Sequence, residues 1–398
     1  MSQQTISRRK LLGIAGLGWM FDAMDVGMLS FIIAALQKEW NLTVKEMGWI
    51  GSINSIGMAV GALVFGLLAD RIGRKNVFIL TLLLFSVGSG LSAFTTTLAA
   101  FLVLRFFVGM GLGGELPVAS TLVSESVPAS ERGKTVVLLE SFWAFGWLLA
   151  ALISYFVIPA YGWEMALILG AIPAFYAVYL RWNLPDSPRF VGVKKEDTIF
   201  LNIMKVWSLE YRRETIMLWV LWFCVVFSYY GMFLWLPSVM VMKGFSLIKS
   251  FQYVLIMTLA QLPGYFSAAW FIERAGRKFV LIAYLIGTAV SAYFFGNAES
   301  LTWLMLFGIL LSFFNLGAWG ALYAYTPEQY PTSIRGTGAG MAASFGRIGG
   351  ILGPLLVGYL AAQKTEVTTI FAIFCMAIFV GVLAVWTLGK ETKQQELA

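Results

Sequence analysis

The sequence predicts an all-α membrane protein of twelve transmembrane helices. Its 398 residues are 59% hydrophobic and only 12% charged, with a mean hydropathy of +0.79. A soluble chain carries about a quarter charged residues, so the polar side chains available here are too few to cover a water-exposed surface. Apolar stretches of about 18 residues or more follow one another along the chain, and each is long enough to cross a bilayer.

Short polar or basic segments bound each apolar stretch and set the limits of the predicted spans. The spans are predicted at residues 12–35, 48–69, 77–95, 98–124, 135–157, 165–183, 214–242, 251–272, 279–297, 301–326, 337–360 and 368–388.

Basic residues gather in alternate loops, in clusters such as Arg8-Arg9-Lys10 and Arg274/Arg277/Lys278. This distribution is typical of a protein in the cytoplasmic membrane and places both termini in the cytoplasm. The net charge of +7 therefore reflects membrane topology, and we expect lipid and no nucleic acid as a partner.

The chain divides into two related halves. We predict an N-terminal bundle of six helices at 1–183, a cytoplasmic connecting segment at 184–213 and a C-terminal bundle at 214–398. Asp70-Arg-Ile-Gly-Arg-Lys75 recurs as Glu273-Arg-Ala-Gly-Arg-Lys278, and Glu125-x-x-Pro-x-x-x-Arg132 recurs as Glu328-x-x-Pro-x-x-x-Arg335. Both pairs are related by the same offset of 203 residues. Such a duplication predicts a substrate site between the halves, near the middle of the bilayer.

These motifs resemble those of the major facilitator superfamily. Its loop signature is similar to the stretch from Gly66 to Lys75, and its fourth-span motif is similar to Arg105-x-x-x-Gly-x-Gly-x-Gly113. Pro185-Asp-Ser-Pro-Arg189 resembles the sugar porters, and Asp22-x-x-Asp25 resembles the aromatic-acid:proton symporters. The whole pattern is most similar to the bacterial niacin transporters of the superfamily. The resemblance implies two six-helix bundles that rock about a central site and expose it to each side in turn.

The repeated loop motifs are the predicted gating residues. Glycine permits a tight turn, and the adjacent arginine can pair with carboxylates or helix C-termini. Such contacts can hold one side shut, although the same charges could serve topology alone. The predicted gating residues are Asp70, Gly73, Arg74, Glu125, Arg132, Glu273, Arg277, Glu328 and Arg335.

Ionisable residues inside spans predict the proton-coupling group. Asp22 and Asp25 lie on one face of the first span, and Arg105 of the fourth span is the natural counter-charge. Close carboxylates in a dry site suit a group that must take and release a proton. The alternative is a static ion pair that fixes the two spans together. Because the chain has no histidine, proton chemistry falls to carboxylates.

The predicted substrate-binding residues combine charge with aromatic rings. Glu140 lies where the resemblance to sugar porters implies a substrate-binding residue, but it is acidic where they have glutamine. Arg347 can hold a carboxylate by two parallel hydrogen bonds, or it can pair with an internal acid. Glu115 stays unassigned between a static and a functional role. The other members of the set are Trp143, Trp147, Tyr229, Tyr230 and Trp319.

We therefore expect a secondary transporter that imports a small planar organic acid by proton symport with alternating access, and the resemblance indicates nicotinate. We expect no enzyme activity and no cofactor or metal, because the chain lacks a phosphate-binding loop and clustered ligands. We also expect a monomer. The alternatives are an organic-cation or drug porter, a facilitated uniporter, and a membrane sensor that does not transport.

Overall fold

The computed structural model describes residues 8–72, 74–125, 132–183, 203–331 and 334–393. Within these ranges the regular structure is helical and contains no strand, so the predicted all-α class is confirmed. The helices are α1 (Arg8–Glu39), α2 (Val44–Ile72), α3 (Arg74–Ser92), α4 (Leu98–Glu125), α5 (Arg132–Leu169), α6 (Pro173–Asn183), α7 (Arg212–Phe233), α8 (Leu236–Met242), α9 (Leu247–Leu259), α10 (Gln261–Ala275), α11 (Arg277–Asn297), α12 (Leu301–Glu328), α13 (Arg335–Ala362) and α14 (Val367–Leu388).

The lengths of the apolar helices account for twelve crossings of a bilayer. Among the described residues, ten helical segments are long and apolar enough to cross a membrane. One of them, Leu138–Ala177, has 40 residues and contains a non-helical glycine, Gly162, so it suffices for two crossings. A shorter apolar stretch, Leu98–Gly114 of α4, supplies the remaining one.

Three spans that were predicted as continuous helices are broken in the structure. The span at 165–183 is divided after Leu169, the span at 214–242 after Phe233, and the span at 251–272 after Leu259. Each break falls four residues before a proline: Pro173, Pro237 and Pro263. A proline ring clashes with the carbonyl four residues earlier and removes one backbone donor, so the helix ends there and a new one begins.

The described residues form two compact units. The first unit comprises Met1–Leu42 and Trp49–Val193, and its main helix pairs are α1 with α5 and α3 with α4. The second comprises Thr43–Gly48 and Lys194–Ala398, with α7 packed on α13 and α11 packed on α12 and α14.

Small residues allow the backbones inside each unit to approach closely. In the first unit, a Cβ atom on Gly146 of α5 would overlap the Met20 carbonyl of α1. In the second unit, a Cβ on Gly349 of α13 would lie 2.6 Å from the Phe223 carbonyl of α7. Close contacts of this kind are what hold helices together in lipid, where burial of apolar surface contributes little. They bring α1 against α5 and α7 against α13, the helices that carry most of the predicted site residues.

Candidate substrate and proton-coupling sites

The first site is a buried ion pair in the first unit. Asp25 of α1 and Arg105 of α4 have no solvent exposure on their side chains, and Arg105 Nη1 donates to Asp25 Oδ2 over 3.0 Å. Ser89 of α3 donates its hydroxyl to the other carboxylate oxygen over 2.7 Å. Asp25 therefore accepts one hydrogen bond on each oxygen, which suits the ionised carboxylate.

The same guanidinium keeps unused donors. Within the part of the chain that the structure describes, Arg105 Nε and Nη2 have no hydrogen-bond partner, although both are buried. Its carbon atom lies 5.7 Å from the centre of the Phe101 ring. Arginine keeps its charge in proteins, so loss of the one ionic partner would leave an uncompensated buried charge, which is costly.

Asp25 and Arg105 of this site were predicted from the sequence, and Ser89 was not. Ser89 is one of several small residues in an apolar span, so the sequence does not distinguish it from its neighbours. Asp22, one helical turn before Asp25, is also buried, with 1% of its surface exposed. The ion pair to Arg105 is made by Asp25.

A second group in the first unit surrounds Glu140 of α5. The carboxyl group is buried and faces Trp19 of α1. One of its oxygens, Oε2, has no hydrogen-bond partner among the described residues. The rings of Trp19 and Trp143 lie 4.8 Å apart, and Trp147 is buried one turn further along α5, against Gly27 of α1. The structure thus places an acid in an aromatic enclosure, to which Trp19 belongs although it was not predicted.

The third group lies in the second unit and collects four predicted residues. Arg347 of α13 is half-buried, and its Nη1 donates to the Tyr230 hydroxyl of α7 over 3.4 Å. The rings of Tyr229 and Tyr230 are 5.2 Å apart and nearly perpendicular. Tyr229 also lies 4.7 Å from Trp319 of α12, with the rings tilted by 39°. A guanidinium beside tyrosine and tryptophan rings can bind a carboxylate and pack against a planar ring.

The predicted gating residues of the second unit also come together. Arg277, at the start of α11, forms ion pairs with Glu273 at 3.1 Å and with Glu328 of α12 at 3.2 Å. Gly276 before it has a φ of 100°, which a residue with a side chain rarely adopts.

Residues that follow α14 complete this cluster, and we call Lys390, Glu391, Thr392 and Lys393 the C-terminal strap. Glu391 accepts hydrogen bonds from the backbone N–H groups of Arg277 and Lys278 at 2.9 and 3.0 Å, so it caps α11.

Two further contacts join the strap to other helices. Thr392 donates a hydrogen bond to Glu328 of α12, and Lys390 forms an ion pair with the buried Glu214 of α7 at 2.5 Å. The strap was not predicted, although its alternating charges directly after an apolar span were a signal.

The other predicted gating residues are not described at the side-chain level. Gly73 lies outside the described residues. For the remaining five, the structure describes the helical backbone and not the side chain: Asp70, Arg74, Glu125, Arg132 and Arg335.

Comparison with known proteins identifies the family. The family model described as Major Facilitator Superfamily matches residues 15–266 and 253–397. The chain belongs to the major facilitator superfamily. This is the family that the sequence motifs indicated. The similar proteins are transporters and not enzymes, which confirms the second prediction.

Two relatives within the superfamily match along nearly their whole length. The "Putative niacin/nicotinamide transporter NiaP" of Bacillus subtilis is 69% identical over 396 residues, which is 99% of each chain. The "Niacin transporter NiaP" of Acinetobacter baylyi is 48% identical over 416 residues, covering 97% of this chain and 95% of the relative. The solved structure of a D-xylose-proton symporter superposes with a TM-score of 0.79 at 20% identity, covering 97% and 99% of the two chains. That superposition shows a common fold.

Proposed function

We propose that this protein imports nicotinate across the cell membrane by proton symport. The observation that carries the proposal is the group formed by Arg347, Tyr230, Tyr229 and Trp319, which offers one cation beside three aromatic rings. Two relatives that are 69% and 48% identical carry niacin in their names, which supports the same substrate here.

The substrate carboxylate binds Arg347. A planar guanidinium presents two parallel donors that match the two oxygens of a carboxylate, and a partly buried position strengthens the contact. Tyr230 accepts a hydrogen bond from Arg347, so its hydroxyl group lies beside the guanidinium that binds the carboxylate. The pyridine ring packs against Trp319 and Tyr229, whose rings contact each other.

Asp25 carries the coupled proton. Ionised Asp25 accepts hydrogen bonds from Arg105 and Ser89, which holds α1, α3 and α4 together. Protonation removes the charge that compensates Arg105, so the pair loosens and these helices can move. A proton taken up on one side of the membrane is thereby linked to a change in helix packing.

The ion pairs of Arg277 and the C-terminal strap act as the gate of the second unit. They join α11, α12 and the segment after α14, and they break when this end of the unit opens. Residues 1–183 and 214–398 act as the two moving bundles, in a monomer with both termini in the cytoplasm. Each cycle exposes the bound substrate first to one side of the membrane and then to the other.

One observation favours a second candidate function, export or import of an organic cation. Glu140 is a buried carboxyl in an enclosure formed with Trp19 and Trp143, and tryptophan rings attract cations. In that function Glu140 would bind the substrate, and Arg347 would serve only the packing of α7 and α13.

Uptake by purified protein in liposomes tests the two functions. Labelled nicotinate should accumulate when the outside is more acidic, and accumulation should disappear when an ionophore removes the pH gradient. Unlabelled nicotinate should compete strongly, nicotinamide weakly and the cation N-methylnicotinamide least. Best competition by the cation, with no effect of Arg347→Ala, would replace the acid importer by the cation porter.

A further inference from the structure

Buried amide and hydroxyl groups lie on α12, which carries Trp319 of the proposed nicotinate site, and on α10, which packs against α12. Gln261 is fully buried, and neither atom of its amide has a hydrogen-bond partner among the described residues. The same holds for the Ser312 hydroxyl and for the side-chain oxygen of Asn315, both of α12. Buried polar atoms are nearly always paired, so a set without partners indicates a ligand or water that the protein binds there.

The fold places Gln261 beside α12. Pro263 ends α9 at Leu259, so Gln261 stands in the first turn of the new helix α10. Gly264, three residues later and on the same helical face, is so close to α12 that a Cβ atom there would overlap the Phe313 carbonyl. A Cβ atom on Gly320 of α12 would lie 2.9 Å from the Tyr265 ring, which is a second close approach of the two helices. Gln261 therefore lies at the start of a helix that packs closely against α12.

Ser312 and Asn315 continue the proposed site along α12. Residues three or four apart share one helical face, so Ser312, Asn315 and Trp319 form a single stripe. Trp319 contacts Tyr229, and the neighbouring Tyr230 accepts from Arg347. Asn315 lies one turn of about 5.4 Å from Trp319. A pyridine ring packed against Trp319 would therefore lie about one helical turn from Asn315.

We infer that Gln261, assisted by Asn315, recognises a hydrogen-bond acceptor in the substrate ring and so selects pyridine carboxylates over carbocyclic acids such as benzoate. This inference rests on the proposed function. A pyridine nitrogen accepts one hydrogen bond and donates none, and the Gln261 amide nitrogen has hydrogens to donate. The carboxylate cannot supply this contact, because it is held at Arg347. Benzoate would leave the buried amide without a partner, which disfavours its binding.

Binding of labelled nicotinate and labelled benzoate to purified protein tests the inference. In the wild type, nicotinate should bind about tenfold or more tightly than benzoate. Gln261→Leu has a side chain of similar size without the amide. It should lower the affinity for nicotinate by a similar factor, and the affinity for benzoate should stay unchanged or rise. Asn315→Leu should change the ratio in the same direction. Gln252→Leu is the matched control, because Gln252 of α9 contacts the exposed Lys249, and this variant should bind both ligands as the wild type does.

The outcomes separate the inference from the function on which it rests. If Gln261→Leu lowers the affinity for both ligands equally, Gln261 serves only packing. If it changes neither affinity, Gln261 does not belong to the site. Either result overturns the inference. Should Gln261→Leu not fold, Asn315→Leu and Gln261→Asn decide by the same ratio, Gln261→Asn keeping a shorter amide and losing only part of the preference. Wild-type protein that transports nicotinate without preferring it to benzoate overturns the inference alone. Wild-type protein that binds no nicotinate overturns the proposed function as well.

Discussion

Arg105 and Asp25 form an ion pair 3.0 Å long in which both side chains are completely buried. The pair connects α4 to α1, and Ser89 adds α3 through the second carboxylate oxygen. A buried charge needs its partner, so loss of either member disturbs the packing of three helices.

Asp25→Asn should abolish accumulation of nicotinate driven by a pH gradient and retain exchange of labelled for unlabelled nicotinate. The amide imitates the protonated acid in charge and cannot release a proton. Counterflow and gradient-driven uptake in liposomes measure the two activities on one preparation. Asp22→Asn is the companion variant, because Asp22 lies one turn away on α1. Gradient-driven uptake that survives in Asp25→Asn and fails in Asp22→Asn would move the proton to Asp22.

Arg347→Lys should weaken nicotinate binding nearly as much as Arg347→Ala. An ammonium group cannot reproduce the two parallel hydrogen bonds of a guanidinium, and their loss costs at least about tenfold in affinity. Binding of nicotinamide, which has no carboxylate, should change little in either variant. Titration of purified protein with both ligands is the measurement. An equal loss of affinity for nicotinate and for nicotinamide would show that Arg347 supports helix packing and does not bind the ligand.

Glu328→Gln should reduce transport far more than binding. The substitution removes the ion pair to Arg277 at 3.2 Å, which lies among the proposed gating contacts and not among the proposed substrate contacts. Nicotinate affinity should stay within a few-fold of the wild type, and initial uptake rates should fall by at least about tenfold, equivalent to roughly 1.4 kcal/mol. Glu299→Gln, at an exposed position between α11 and α12, is the control and should transport normally. A parallel loss of binding in folded Glu328→Gln protein contradicts the gating role.

Gly146→Val should lower the stability of the protein by about 1–3 kcal/mol, because added side-chain atoms must displace α1 from α5. A Cβ at this position would already overlap the Met20 carbonyl. Gly13→Val on α1 is the control, since a Cβ there meets nothing within 4 Å. Thermal unfolding of the two variants in detergent should separate them clearly, and equal melting temperatures would refute the close-packing argument.

Much of the fold followed from the sequence because the bilayer imposes one simple requirement. Backbone groups in lipid must be satisfied within helices, so length and apolarity alone locate the spans. The prolines Pro173, Pro237 and Pro263 were visible, but the breaks before them were not predicted. A proline can kink a helix or end it, and only the surrounding packing decides which.

The candidate sites were less predictable than the helices. Charged residues in apolar spans are rare and conspicuous, which is why Asp25, Arg105, Glu140 and Arg347 could be named as candidates from the sequence. Ser89, Trp19 and Gln261 resemble ordinary span residues in the sequence. Their importance depends on which neighbours they face across helices that lie far apart along the chain, and a single sequence does not specify those contacts.

The C-terminal strap has a consequence for how the protein is made. Its four residues follow α14, yet they fasten α7, α11 and α12, which are synthesised much earlier. Those helices are therefore made before the strap, with Glu214 unpaired by Lys390 and the first turn of α11 uncapped by Glu391 until the end of the chain has left the ribosome. A chain cut off directly after α14 keeps every helix of the second unit and lacks only the contacts of the strap, so its stability would measure what those four residues contribute.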